Sequence, residues 1–423
     1  MNLLVNFWRT WSRGLVVLAL ALVTYWAALH RPQPLLWLIA SVLLAALVTG
    51  FIWPRWTMRA LHLERQLDIQ AQEGEVAEVT LRVSNTGWLP RFMVGVGDHL
   101  PLPDATGAIV FKDVPLGLIG SLAPRSTFAF PARIPCEKRG CYQLGPASLS
   151  TSFPLDLIEV THRARDAGHE LLVYPALFPI ARLPLGGNPH LLHRGDILLP
   201  DSAGSVEFKG LREYRPGDNP RHIHWPSSAK GDDLMVREFE ALATASLVLV
   251  LDLGKRANLG PGRHSSAEHA IRIAASCAHF ANTHDVPFAL RAQSQNPLDI
   301  AMGSGDLHLQ QMQDTLARVA VDGDASFSNL LEQVAQTCRM GDTILLSVTL
   351  PHAEGSSISA ACAAIRARGT HLVAVLLDGA SFTNPEQPNP MLFDDPIAIG
   401  LLTLGARLHI ARRGDDLTQL FTT

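Results

Sequence analysis

The sequence predicts a multi-domain protein: an N-terminal transmembrane helical hairpin, an Ig-like β-sandwich and a doubly wound α/β domain. Three observations predict it. Two apolar runs stand within residues 1–56, period-two alternation between turn residues fills 60–175, and buried strands alternating with helical segments fill 246–423. A chain of 423 residues is long enough for more than one core.

The hairpin comes first. "LLWLIASVLLAALVTGFIW" (35–53) carries no charge, and at ~1.5 Å rise per residue it nearly spans the ~30 Å hydrocarbon layer. Trp37 and Trp53 lie near its ends, where indole rings favour the interface. Leu15 to Leu29 is shorter and spans only if Arg13 snorkels and Trp11 joins the interface. Pro32 and Pro34 break the chain between the runs, giving helices at about 14–30 and 34–53. Arg9, Arg13, Arg55 and Arg59 flank the pair and only Arg31 lies between. The positive-inside bias therefore puts both ends and all later residues in the cytoplasm, as a multi-pass protein of the inner membrane. A cleaved first run would leave the same orientation.

Composition excludes several classes. The 35 basic and 39 acidic side chains leave a net charge of −4, which is no electrostatic footprint for nucleic acid. The five cysteines are odd in number and scattered, so a disulfide framework is not expected; without a CxxC pair, neither is a zinc ribbon.

In residues 60–175, "EVAEVTLRVSN" sets Val76, Val79, Leu81 and Val83 against polar neighbours and ends at a "SNTG" turn. "RFMVGVGDHLP", "STFAFPARIP" and "CYQLGPASLS" repeat the pattern. Short strands without intervening helices make a sandwich, read here as a structural or protein-binding module. After residue 245, "SLVLVLD" (246–252) is an apolar run ending in Asp252, as expected of a buried parallel strand. Ser265 and Glu268 form a capping box for a helix whose stripe is Ala270, Ala274, Cys277 and Ala281. "TILLSVT" (343–349), "HLVAVLL" (371–377) and "LHIARRGDDL" supply further strands. In such sheets ligands bind beyond the carboxyl ends of the strands, which directs attention to Asp252.

Residues 176–245 join these units and hold the densest polar stretch, "LREYRPGDNPRHIHWPSSAK" (211–230). Pro216 and Gly217 suit a type II turn over Arg215–Asp218. Beyond it, Arg221, Ile223 and Trp225 would share one strand face, with His222 and His224 on the other. Arg212 or Arg221 can pair with Glu213 or Asp218, making a charged clasp anchored by Trp225. Arg, Tyr and Trp also dominate interface hot spots, so the same stretch suits partner docking. A metal at His222 and His224 would need a distant third ligand such as His193 or Asp196. Ser227 and Ser228 lack the strand–turn elbow of a nucleophile. Glu213 and Asp218 beside two arginines stay ionised, which disfavours acid/base work.

Three stretches resemble a known family: "SVEFKGLREYRPGDNPRHIHWPSSAKGDDLMVREFE" (205–240), "KRGCYQLGP…TSFPLDL" (138–157) and the strand ending in Asp252. Together they resemble the bacterial domain-of-unknown-function 58 family. Its signature falls here on Arg212, Glu213, Tyr214, Gly217, Asp218, Arg221, Ile223, Trp225, Ser228, Ala229, Val236, Arg237 and Glu238. The resemblance implies a membrane-anchored protein with a von Willebrand A-like domain that works with MoxR-type AAA+ ATPases. Mg²⁺-binding members of that fold carry Asp-x-Ser-x-Ser after the first strand; here the loop reads Asp252-Leu253-Gly254-Lys255-Arg256. Thr349 stands where a second Asp is expected, and only Ser326 or Ser328 is available for the Thr. A hard cation needs more oxygen ligands than that. The metal position is therefore expected to be degenerate, with Asp252 pairing with Lys255, Arg256 or a backbone amide, and no cofactor is expected.

These readings combine into a non-enzymatic scaffold or adaptor, with Arg212, Glu213, Tyr214, Gly217, Asp218, Arg221, Trp225 and Arg237 as the signature and partner-binding candidates. The expected partners are a MoxR-type AAA+ ATPase and the lipid bilayer. The alternatives are a metal-assisted hydrolase using residues 212–225 and a cell-envelope assembly factor that binds through its sandwich.

Overall fold

The computed structural model describes residues 2–31, 33–67, 70–103, 109–163, 169–186, 206–215, 223–229, 234–241 and 245–422. They fall into two units, Met1–Tyr174 and Pro175–Thr423.

The first unit opens with helices α1 (Asn2–His30) and α2 (Pro34–Met58). Within them Arg13–His30 and Pro34–Met58 are long and apolar enough to cross a membrane. Both exceed the spans expected from hydropathy alone. α2 continues through Pro54, and over its last turns Arg55 Nη1 donates to Phe51 O (2.9 Å) and Thr57 Oγ1 to Pro54 O (2.9 Å). Tyr25 and Trp37 meet edge to face at 5.6 Å, joining the two helices.

Ten strands follow: β1 (Leu61–Leu67), β2 (Gln70–Gln72), β3 (Val76–Asn85), β4 (Arg91–Pro103), β5 (Ile109–Leu122), β6 (Thr127–Pro135), β7 (Gly140–Gln143), β8 (Ser148–Thr151), β9 (Val160–Arg163) and β10 (Glu170–Tyr174). They form sheets β1-β3-β6, β5-β4-β8-β9 and β2-β10-β7, with only β2–β10 parallel among these pairs. Val79, Leu81 and Val83 are buried in one core with Val94, Val96, Ile134 and Leu149. Val76 is instead 53 % exposed. Alternation gives its expected core place to Ala77, which shares a face with Val79, Leu81 and Val83. An ion pair also lies inside: Arg65 and Asp98 are in hydrogen-bonding contact with side chains 1 % and 0 % exposed. Asp98 Oδ1 takes the His99 amide as well (2.8 Å), and Arg65 Nη2 donates to Gly145 O (2.9 Å).

The second unit holds an antiparallel pair, β11 (Val206–Glu213) and β12 (Met235–Ala241), with the short helix α3 (Trp225–Ser228) between them in sequence. Then come β13 (Ser246–Asp252), α4 (Ser266–Thr283), β14 (Phe288–Gln293), β15 (Pro297–Gly303), α5 (Asp306–Arg318), α6 (Phe327–Thr337), β16 (Asp342–Leu350), α7 (Gly355–Ala367), β17 (His371–Asp378), α8 (Gly379–Thr383), α9 (Pro396–Thr403) and β18 (Arg407–Ala411). The six-stranded sheet has the order β15-β14-β13-β16-β17-β18, parallel except for edge strand β15. Its two faces are covered separately. Leu247, Leu249 and Leu251 pack with α4 and α5, whereas Val248 and Val250 pack with α6, α7 and α9. This is why β13 reads as an unbroken apolar run.

The N-cap of α4 is Ser265, whose Oγ accepts the Glu268 amide at 3.4 Å. Residues 175–186 belong to this unit: Leu183 is buried in the α4 side of the core, Phe178 N–H reaches Ser276 Oγ (3.1 Å) and Gly186 N–H reaches Thr343 Oγ1 (2.7 Å).

Candidate functional site

The order β14-β13-β16-β17 places the reversal of winding between β13 and β16, and in such sheets ligands bind beyond the carboxyl ends of the strands at that point. Two side chains meet there. Asp252 ends β13 and His352 follows β16; Asp252 Oδ2 and His352 Nε2 are 3.1 Å apart, with side chains 7 % and 11 % exposed. Asp252 Oδ1 accepts the Gly254 amide at 3.0 Å, and His352 Nδ1 accepts the Glu354 amide at 3.1 Å. In the neutral ring Nε2 thus donates and Nδ1 accepts.

The network continues through Glu354. Its Oε2 accepts from Ser326 Oγ (2.7 Å) and from the Ser328 amide (3.1 Å), and the two serine hydroxyls are 2.7 Å apart. The loop after β13 is tied to the loop before α6 by Gly323 N–H to Leu253 O (3.1 Å) and Lys255 N–H to Gly323 O (3.0 Å). A Cβ at Gly323 would stand 2.6 Å from Gln293 O, so this close backbone approach requires glycine. The hydrogen bond to Asp252 raises the pKa of His352, against an opposing effect of burial. Burial is the largest influence on Glu354 and pushes it up, but its bonds from Ser326 and Ser328 together hold it below the usual carboxylate range.

This arrangement does not suit a divalent cation. Asp252 spends both oxygens on His352 and Gly254, and Lys255 of the same loop pairs with Asp324 (2.9 Å). Among the described residues no three His, Cys, Asp or Glu side chains are grouped to hold a metal. The expected backbone-amide partner of Asp252 is present. Its side-chain partner is His352, not Lys255 or Arg256, because the carboxyl ends of β13 and β16 are adjacent while Lys255 turns to Asp324. His352 and Glu354 escaped the sequence reading, which stopped at Thr349; their signal was polar residues directly after a strand neighbouring β13.

The signature stretch is a second, separate site within this unit. Arg212 pairs in register with Val236, Glu213 with Met235 and Leu211 with Arg237. Tyr214 N–H extends the ladder to Leu234 O (2.7 Å), and Ile223 bridges Val236 on its other side. Ser228 closes the turn: its Oγ accepts the Met235 amide at 2.8 Å and lies 3.1 Å from His224 O. Trp225 does not share a strand face with Ile223. It starts α3, where Pro226 suits the first helical turn, and it is 65 % exposed. It is therefore not the buried anchor expected of the clasp. His224 bonds Ser227 Oγ at 2.8 Å. Gly217, Asp218, Arg221, His222, His193 and Asp196 lie outside the described residues, so the expected turn and ion pairs do too.

Residues 210–381 match the model of a family described as "Protein of unknown function DUF58". That match supports a DUF58 assignment for residues 210–381. The match includes both the signature stretch and the Asp252–His352 centre. No curated protein matches the chain. Similar solved structures include the CARDB domain of the PF1109 protein from Pyrococcus furiosus, at 14 % identity over 27 % of this chain and 91 % of that one, with a TM-score of 0.18. The Pseudomonas fluorescens alkylpurine DNA glycosylase AlkC is 13 % identical over 32 % of this chain and 38 % of its own, with a TM-score of 0.18. A Vibrio harveyi GH20 exo-β-N-acetylglucosaminidase is 9 % identical over 83 % and 75 %, with a TM-score of 0.21. Likenesses at these scores carry no argument about this protein.

Proposed function

We propose that this protein is a non-enzymatic scaffold or adaptor held to the inner membrane by α1 and α2, with its soluble mass in the cytoplasm. Residues 246–423 act in this reading as a von Willebrand A-like domain that has lost its metal, and the partner is a MoxR-type AAA+ ATPase during assembly or maturation of a protein complex. The observation that carries the reading is the closed polar centre at the switch point. Both oxygens of Asp252 are bonded within the chain, to the Gly254 amide and His352, and Glu354 Oε2 accepts from Ser326 and Ser328. Two apolar helices of spanning length support the anchor, and the arginine bias around them supports the orientation. The strand order with one antiparallel edge supports the von Willebrand A-like reading, and the ATPase is what the resemblance of the signature stretch implies.

The test is recovery of the full chain from detergent-solubilised membranes, with and without ATP, followed by mass spectrometry and elemental analysis. Enrichment of an AAA+ ATPase that changes with ATP is the expected result. A stoichiometric divalent ion with no ATPase would replace the scaffold by a metal-assisted enzyme. C-terminal fusions test the orientation: a fluorescent protein should be bright and alkaline phosphatase inactive.

A further inference from the structure

We infer that one rim of the β-sandwich is itself embedded in the bilayer interface beside the two helices, so that the binding module is held against the lipid surface rather than swinging from a tether. The inference rests on the reading of α1 and α2 as membrane-spanning. It starts from the segment between β8 and β9. Leu157 packs on α2 so closely that a Cβ added at Gly50 would stand 2.9 Å from its Cδ1. Gly50 lies about 24 Å along α2 from Pro34 at ~1.5 Å per residue, within a hydrocarbon layer ~30 Å thick. Leu157 O and Ile158 Cγ1 likewise lie 3.4 and 3.6 Å from where a Cβ would stand on Gly14 of α1. Ile158 also lines a wholly apolar cavity of ≈ 350 Å³ with Leu18, Leu44 and Phe51. A loop touching the helices at that depth cannot clear the interface.

The loop's surface fits that position. Leu155 is 45 % exposed, and the adjacent Asp156 has its charge met by Arg13 of α1. The start of β4 joins the same rim: Phe92 and Phe153 rings lie 5.3 Å apart, and Thr151 Oγ1 is 3.4 Å from Phe92 O. Phe92 and Met93 are 39 % and 47 % exposed, and Trp88 in the preceding turn is 73 % exposed. That turn is held firmly against α2. Buried Asn85 donates to Leu89 O (2.8 Å) and accepts the Gly87 amide (3.0 Å), Thr86 N–H reaches Ala60 O (2.9 Å), and the Arg91 guanidinium lies 5.2 Å from the centre of the Trp56 ring. Exposed apolar side chains on a rigid rim continuous with spanning helices match the interfacial layer, where Trp and Phe partition favourably. The far end of β3 at Val76 lies about 30 Å from Asn85 at ~3.3 Å per residue, well clear of that layer.

The test uses the full chain in lipid nanodiscs with Cys141 replaced by Ser, since the other four cysteines are buried. A nitroxide is placed in turn by Leu155→Cys, Trp88→Cys, Val76→Cys and, within α2, Val42→Cys. Met93→Cys reports the same rim should either rim variant fail to fold. Collision with oxygen is compared with collision with a water-soluble nickel chelate. The expected oxygen-to-nickel ratio at the rim positions is severalfold above that at Val76 and below that at Val42, which lies deeper in the hydrocarbon layer. Rim labels as nickel-accessible as Val76, with Val42 still protected, would overturn the embedded rim and leave the anchor standing. Nickel access at Val42 would overturn both.

Discussion

His352 Nε2 lies 3.1 Å from Asp252 Oδ2 and joins the carboxyl ends of the two strands between which the sheet reverses its winding. The His352 side chain thus holds the two loops together by hydrogen bonds within the chain.

The pair should make stability depend on pH with a defined sign. Unfolded histidine titrates near 6.5, and Asp252, aided by Glu354 and Asp395, raises the folded value of His352 above it despite burial. A raised cationic pKa contributes fully below about pH 6.5 and is lost as the pH climbs through the folded value. His352→Gln should therefore destabilise most at mildly acidic pH, by about 1.5–3 kcal/mol for a charge-assisted bond, and least at alkaline pH. Denaturant unfolding from pH 6 to 9 measures it; a penalty that grew with pH would refute the assignment.

Chelation should leave the full chain's melting temperature unchanged. A tightly held ion stabilises by mass action, and here both Asp252 oxygens already have partners. A fall of several degrees in EDTA, restored by Mg²⁺ or Zn²⁺, would contradict the closed centre.

Arg65→Ala should be among the costliest single changes in the sheet-rich first unit. It leaves Asp98, with a side chain 0 % exposed, without its guanidinium. Breaking such a buried pair typically costs ~3–5 kcal/mol, against ~0–1 kcal/mol for an exposed one. Lys255→Ala, which breaks the exposed pair with Asp324, is the comparison. Equal losses by denaturant unfolding would show that the Arg65–Asp98 pair is not shielded.

Trp225→Ala separates a docking role from a structural one. With 65 % of the residue exposed, truncation should alter stability by no more than about 0.5 kcal/mol. If the signature stretch is the docking surface, recovery of the ATPase should nevertheless fall severalfold, as exposed Trp side chains often anchor interfaces. Undiminished recovery would remove Trp225 from the interface.

The sequence by itself determined the elements whose burial is one-sided or complete. β13, β16 and β17 carry apolar runs because helices cover both faces, and α4 announces its start with Ser265 and Glu268. The two apolar helices were legible because their long uncharged runs state their environment letter by letter. Tertiary structure decided what depends on partners distant in the chain. Val76 yielded its core place to Ala77 because sheet parity outweighs residue size. Asp252 could be singled out as the end of a strand, but its partner is a hundred residues away. No local pattern couples two loops whose meeting is fixed only by the order in which β13 and β16 lie side by side.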